Sequence, residues 1–378
     1  MKILHLIYSL QVAGAEKYLV DLLPGLKQQG IDVELICVTT KHDQHKFISY
    51  LQNFELGKVK TTLFISNKYN LLSTAKRISK YIKDNRIDCI HSHLFKADIF
   101  AVLIRRFYNK EIFLISTKHG YREKYLTRFH VHKGEIVHDL YYYLSRFVNR
   151  NIHVHVTISK AMAELYYQLK LSRERIKYIH HGIQVKGLQN YSKSLTKVDK
   201  PQLIIVGRIE EMKGHRYLLE AMPTLIKSYP SLRLLIIGEG SLKEPLKRLA
   251  NKLKISKNIK FLGFKDSPYP FIAESDIIVL PSLFEPFGIV YIEAFALRIP
   301  VVAFDVAATN EIIDNNSTGI LVEAKNSIAL AEKIIFLLQN PEEKERLVKN
   351  AYETYLGHFN TDRMVKETAD WYKNILSF

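Results

Sequence analysis

The chain has 378 residues, enough for two domains of ordinary size, and 47% of them are apolar, so each domain can bury a core. Its formal charge is +17, and residues 1–190 own nearly all the excess, with 30 Lys and Arg against 15 Asp and Glu, where the remainder carries 25 against 23. That asymmetry points to an anionic partner (a membrane surface, a phosphorylated substrate or a nucleic acid), while the absence of any apolar run of about 18 residues excludes a membrane-spanning helix.

The first stretch, "MKILHLIYSL", meets Gln11 and Gly14 before a signal-peptide core could finish. It reads as a first strand, and the protein as cytoplasmic. Strand-like runs "VELICVTT", "IDCIHSH", "IFLISTKHG" and "HVHVTIS" follow, alternating with amphipathic segments such as "AEKYLVDLLPGLKQQ" and "NLLSTAKRISKYIKDN". Cys37 and Cys89 fall inside such runs and read as buried thiols in a reducing compartment, not as a disulfide or a metal pair. A polar stretch between Ile183 and Pro201 reads as a linker, after which the pattern restarts with "PQLIIVGRI", "LRLLIIGEG", "IKFLGF", "IIVLPS" and "IPVVAFD". Short apolar runs separated by helices imply parallel sheets covered on both faces. The expected class is therefore α/β, with two Rossmann-like, doubly wound domains facing across a cleft, at 1–185 and 190–361. The last segment, 362–378, is helical by spacing, holds the only Trp, Trp371, and is expected to fold back onto the first domain. In such sheets ligands bind at the carboxyl ends of the strands.

The segment "PSLFEPFGIVYIEAFAL" is mostly apolar yet holds Glu285 and Glu293. Pro286 suits a helix start, which places one near Phe287. Gly288 lets backbone approach a ligand, and the amides of Gly288, Ile289 and Val290 become the unpaired donors of a first turn, a ready anion site. A helix running back to Glu285 would put about 12 Å of rise between the two carboxylates. That spacing suits a ligand with hydroxylated groups at its ends and phosphates in the middle, since a carboxylate accepts hydrogen bonds from paired sugar hydroxyls. Phosphates also need cations. "IIVGRIEEMKG" supplies Arg208 and Lys213 in a turn after a strand, able to hold a diphosphate and stabilise it as a leaving group without a metal ion.

In order, "VAGAE", "TKHG", "TISK", "VGRIEEMKG", "IIGEG", "FLGF" and "LPSLFEPFGIVYIEA" resemble the retaining glycosyltransferases of family 4, which have the GT-B fold. The resemblance runs from residue 1 to about 325, and its most specific element is the E-x7-E pair with "EPFG". It implies transfer of a sugar from a nucleotide-diphosphate sugar, with a UDP-sugar favoured, and no further cofactor or metal. On it, Glu293 holds the ribose hydroxyls, Glu285 the donor sugar, and Arg208 and Lys213 the diphosphate. The backbone from Phe287 through Gly288, Ile289 and Val290 completes that cradle, and Leu262, Gly263 and Phe264 face the base. Gly14 approaches the donor from the first domain, and His119 sits near the transferred sugar. A double displacement needs a carboxylate nucleophile. The resemblance gives Glu285 a binding role, so front-face substitution is preferred, with Arg208 and Lys213 acting mainly in the transition state. The chain departs from the family at Ala13, at His181-Gly182 and at "AATNE", residues 307–311, which bears on sugar choice.

Two further patterns stand apart. His91 with His93, and His153 with His155, form pairs on strand faces, but no third ligand has suggestive spacing, so no metal site is assigned. "YYYLSRF", 141–147, reads first as packing and second as an interfacial anchor. The basic first half suggests a saccharide or lipid-linked saccharide acceptor at an anionic membrane surface, as in surface polysaccharide or lipopolysaccharide assembly, with the protein peripheral at the inner face. The rivals are a nucleic-acid-binding protein, which lacks a recognisable stacking motif or basic helix, and another GT-B enzyme such as a nucleotide-sugar epimerase.

Overall fold

Short Ile- and Val-rich runs form strands buried on both faces, and the amphipathic segments between them cover those faces. The computed structural model describes residues 2–8, 14–43, 54–55, 57–66, 70–120, 140–168, 171, 173–185, 200–306 and 308–376. The chain divides into two compact units, one of Met1–Gly182 with Thr361–Phe378, the other of Ile183–Asn360.

The first unit holds β1 (Lys2–Tyr8), β2 (Asp32–Thr39), β3 (Lys60–Ile65), β4 (Cys89–His93), β5 (Phe113–Lys118), β6 (Val154–Thr157) and β7 (Ile176–Tyr178). They pair in parallel in the order β3-β2-β1-β4-β5-β6-β7. Its helices are α1 (Gly14–Gln28), α2 (Leu71–Asp84), α3 (Phe95–Phe107), α4 (Leu140–Arg150) and α5 (Lys160–Gln168). Alternation on β1 sends Ile3 and Ile7 into one core and Leu4 and Leu6 into the other. Ser159 caps α5, its Oγ accepting the Met162 N–H at 3.1 Å. Both cysteines are buried, and neither is in a disulfide.

The second unit holds β8 (Gln202–Val206), β9 (Arg233–Ile237), β10 (Ile259–Gly263), β11 (Ile277–Leu280), β12 (Val301–Phe304) and β13 (Ile320–Val322). Their order is β10-β9-β8-β11-β12-β13. Its helices are α6 (His215–Ser228), α7 (Lys243–Lys252), α8 (Tyr269–Ala273), α9 (Ile289–Ala296), α10 (Thr309–Ile312), α11 (Ser327–Gln339) and α12 (Pro341–Thr354). The last helix, α13 (Thr361–Ile375), belongs to the first unit. Its Met364, Val365, Ala369 and Tyr372 join the core beneath α1, a helical stripe facing inward. Of the linker expected between the domains, residues 186–199 lie outside the described residues.

Three strands were not among the runs singled out in the sequence: β3, β7 and β13. Each is an edge strand. On β3 and β7 most side chains are only part-buried, so their sequences carry little of the apolar signal of central strands. The aromatic run on α4 divides between two environments. Tyr142 is buried, as the packing reading expects, whereas Leu140, Tyr143, Leu144 and Phe147 form an exposed row at helical spacing.

A buried ion pair ties four elements of the first unit. Asp98, near the start of α3, accepts from Lys118 Nζ at 2.5 Å, from Ser116 Oγ at 2.7 Å and from Ser92 Oγ at 2.6 Å. Lys118 also donates to Asn149 Oδ1 of α4 at 3.0 Å. Both charges are fully screened from water, so each depends on the other. Replacing Asp98 with Ala strands a buried ammonium and should cost about 3–5 kcal/mol in urea unfolding. A loss no larger than that of a surface aspartate would show the pair to be dispensable.

Candidate functional site

In the second sheet the strand order reverses between β8 and β11, the kind of switch point at which doubly wound sheets carry a ligand crevice at the carboxyl ends of their strands. After β8 the chain passes Gly207 and Arg208, makes a single 3-10 turn over Glu211–Lys213, and enters α6. After β11 it passes Pro281 to Glu285 before α9. The two turns are stitched together. Leu283 N–H donates to Met212 O at 2.8 Å. Gly214, at φ +63°, lies so close that a Cβ there would sit 1.7 Å from the Pro281 carbonyl oxygen. That contact sets Lys213 beside Glu285, Nζ to Oε2 at 2.5 Å, and Ser282 Oγ donates to the same oxygen at 3.2 Å. Sequence reasoning gave Lys213 and Glu285 separate tasks, whereas here they form an ion pair.

The helix begins later than the proline suggests. Gly288, at φ +92°, is its N-cap and Ile289 its first residue. Glu285 therefore lies in the turn before α9, as a start near Phe287 already implied, and the helix does not run back to it, so the helical rise of about 12 Å does not describe the pair. The left-handed turn at Gly288 breaks the backbone between them. A side chain at Gly288 would press within 2.3 Å of the Tyr291 ring. The amides of Gly288, Ile289 and Val290 have no acceptor among the described residues. The Phe287 ring is in the core beside Phe359, which leaves only its backbone for a ligand.

Glu293 is buried on α9, and the Tyr269 hydroxyl donates to its Oε1 at 3.3 Å. Tyr269 went unnoticed in the sequence because nothing local distinguishes it; only the path of the chain after β10 brings it to α9. Arg208 is exposed at the end of β8. Leu262 and Gly263 close β10, the edge strand of the same sheet, and Phe264 beyond them is exposed. Gly14 is the exposed first residue of α1, and residues 9–13, with the Ala13 departure, lie outside the described ones, as does residue 307.

His119 follows β5, and its Nε2 is 3.0 Å from His93 Nδ1. The His91–His93 pair gains a companion that the sequence did not offer. β1 runs beside β4 with His5 opposite His91, and ligand-capable nitrogens of His5, His91 and His93 lie within 4.8 Å of one another. Burial pushes His5 down to about 3, and burial with the adjacent Lys118 does the same to His119. His91 and His93 are held well below the ordinary imidazole range by burial and then by the neighbouring rings. The second pair does not converge. His153 accepts the Leu114 N–H at 2.9 Å, and His155 Nε2 bonds the Asn149 carbonyl at 3.0 Å.

The family described as "Glycosyltransferase Family 4" matches residues 12–186, and that described as "Glycosyl transferases group 1" matches residues 189–354. An uncharacterized glycosyltransferase of Methanocaldococcus jannaschii is 25% identical, covering 96% of this chain and 94% of its own. A lipopolysaccharide core biosynthesis glycosyltransferase of Rhizobium meliloti is 29% identical over 44% of this chain and 48% of its own. Among solved structures, an Anabaena protein in complex with UDP-glucose superposes with a TM-score of 0.80 at 19% identity, covering 99% of this chain and 100% of that one.

The buried neutral histidines set the acid stability of the first unit. Unfolding releases each ring to a pKa near 6.5, so the unfolded chain binds more protons below that value. Stability is whole above 6.5 and falls as pH drops toward about 3, by about 1.4 kcal/mol per pH unit for each of His5 and His119. Melting temperatures should decline steeply between about pH 6.5 and 5; a flat profile across that window would contradict neutral burial.

Proposed function

The chain belongs to the glycosyltransferases of group 1 and family 4, with the two parallel-sheet domains of the GT-B fold, and on that premise we propose that it moves a sugar from a nucleotide-diphosphate donor to a saccharide acceptor with retention of configuration. The observation that supports this reading most is the Lys213–Glu285 pair at the switch point, with Arg208 and the unsatisfied amides of α9 at the same strand ends. In the free protein the carboxylate keeps the ammonium in place. An arriving diphosphate takes the ammonium, and Glu285 turns to the hydroxyls of the donor sugar. Arg208 and the amides of Gly288, Ile289 and Val290 share the remaining phosphate charge. Glu293 takes the ribose hydroxyls, the backbone at Leu262 to Phe264 meets the base, and His119 bonds the transferred sugar. Gly14 borders the donor.

The chemistry is front-face. The bond between the anomeric carbon and the diphosphate oxygen breaks, and the acceptor oxygen bonds that carbon from the same side. The acceptor's proton passes to the departing phosphate. Charge on that oxygen grows as the bond breaks, so Lys213 and Arg208 act more strongly on the transition state than on the bound donor. No metal is assigned a part. A UDP-sugar is the favoured donor, a reading supported by the UDP-glucose complex of the Anabaena structure.

Screening UDP-, GDP- and ADP-sugars by thermal shift and product analysis tests the reading and separates transfer from epimerisation. Lys213→Ala should lower kcat by about 100- to 1,000-fold, a larger effect than its loss of donor affinity. Glu293→Ala should weaken nucleotide binding by about 10- to 100-fold. Full turnover in Lys213→Ala would remove the leaving-group role.

The acceptor is placed at an anionic membrane surface, as a lipid-linked saccharide of surface polysaccharide or lipopolysaccharide assembly. Two observations support this: the excess of 30 Lys and Arg over 15 Asp and Glu in residues 1–190, and the exposed row Leu140, Tyr143, Leu144 and Phe147 with Arg150 one turn on. Among the described residues no helix is long and apolar enough to cross a membrane, and the attachment proposed here is a peripheral one. The protein should co-sediment with anionic vesicles at low salt, and Phe147→Ser with Leu144→Ser should abolish this; no pelleting of the parent protein would remove the membrane from the proposal.

A further inference from the structure

Six side chains beneath the first sheet form one unbranched hydrogen-bonded chain. Thr117 Oγ1 meets His91 Nε2 at 2.6 Å, and His91 Nδ1 meets the Tyr372 hydroxyl. Tyr372 Oη lies 3.4 Å from His5 Nε2. His5 Nδ1 meets His93 Nε2 at 2.9 Å, and His93 Nδ1 meets His119 Nε2 at 3.0 Å. The first five residues are fully buried, and His119 stands at the open end.

A neutral imidazole carries one N–H and one lone pair, and a hydroxyl carries one proton. Every link needs one donor and one acceptor, and these counts leave two fully satisfied arrangements. In one, Tyr372 donates to His91, which donates to Thr117. His5 then donates to Tyr372, His93 to His5 and His119 to His93, so all four rings carry the proton on Nε2. In the other, Tyr372 donates to His5 and each link reverses, so all four carry it on Nδ1. Any mixture either sets two lone pairs or two protons against each other or makes Tyr372 accept from both rings and strands its own proton, and in a fully buried site each of these carries the penalty of an unmade bond.

We propose that His5, His91, His93 and Tyr372 are positioning residues that fix the tautomer of His119 collectively, so that its Nδ1 offers either a lone pair or a proton according to the state of the whole chain. The proposal rests on the reading above in which His119 bonds the transferred sugar. A sugar hydroxyl that donates to Nδ1 selects one arrangement, and one that accepts selects the other. His119 Nδ1 has no partner among the described residues. The control point is Tyr372, carried by a helix far away in sequence from the four rings.

The three close histidines also invite a metal reading. Their geometry opposes it. The rings of His5, His91 and His93 stack with interplanar angles of 28°, 15° and 16°. Imidazole lone pairs lie in the ring plane, so near-parallel rings send them side by side and not toward one point. Each of the six nitrogens also has a partner already.

Nitrogen NMR of the full chain labelled at its histidines, at neutral pH and without ligand, reads the tautomers directly. The expected result is a single tautomer shared by all four rings in the parent protein, and loss of that uniformity in Tyr372→Phe. Two tautomers coexisting among the four, a cationic ring, or metal-type shifts would each overturn the chain. In turnover, Tyr372→Phe should lower kcat several-fold while leaving the donor KM in place. Unchanged kcat in a Tyr372→Phe protein whose tautomers have become mixed would overturn the positioning role. If His119→Ala has full activity, the sugar-contact reading fails, and the NMR result still decides whether the chain exists.

Discussion

The crevice of the second unit depends on one close approach. Between Gly214 and the Pro281 carbonyl there is no room for a side chain. That contact brings the turn after β8 against the turn after β11, and it is available only because those strands are neighbours at the point of order reversal. Lys213, one residue before the glycine, is thereby held against Glu285, four residues after the proline. Topology supplies the crevice, a missing side chain supplies the proximity, and the ion pair follows from both. The Gly288 turn has a similar part: it ends the approach segment and starts α9 with amides that have no acceptor among the described residues.

The two units treat buried polarity differently. In the second, carboxylates are buried at the mouth of the sheet, where a ligand could complete their hydrogen bonding. In the first, two sets of deep polar groups satisfy one another. Asp98, Lys118, Ser92 and Ser116 form one closed network, and the histidines with Tyr372 and Thr117 form another. Networks of this kind specify one packing arrangement strongly, because each member left unpaired is costly. The basic character of residues 1–190 is therefore a property of the exterior, not of this interior.

The α/β class, the restart of the pattern and the central strands were legible, since runs such as "KILHLIYSL" and "IIVLPS" must be apolar on both faces. The edge strands β3, β7 and β13 were less so, because part of each faces away from the core. The residues of the second crevice were legible as types at spacings, but their pairings were not. Lys213 against Glu285 and Tyr269 against Glu293 depend on which strands adjoin. The histidine chain was half legible. "HSH" gives two members on one strand face, but His5 enters through the β1–β4 register, Tyr372 through the return of α13, and His119 through the exit of β5. Each of those is a long-range fact that no window of sequence contains.

The return of α13 has a consequence for biogenesis. The helix that completes the core beneath α1 is made only after all of Ile183–Asn360 has been translated. The first unit must wait, with Tyr18, Leu22 and Leu26 lacking their cover, while the second has everything it needs to condense. The earlier-made sheet therefore receives its last covering helix only after the whole of the later-made unit has been synthesised.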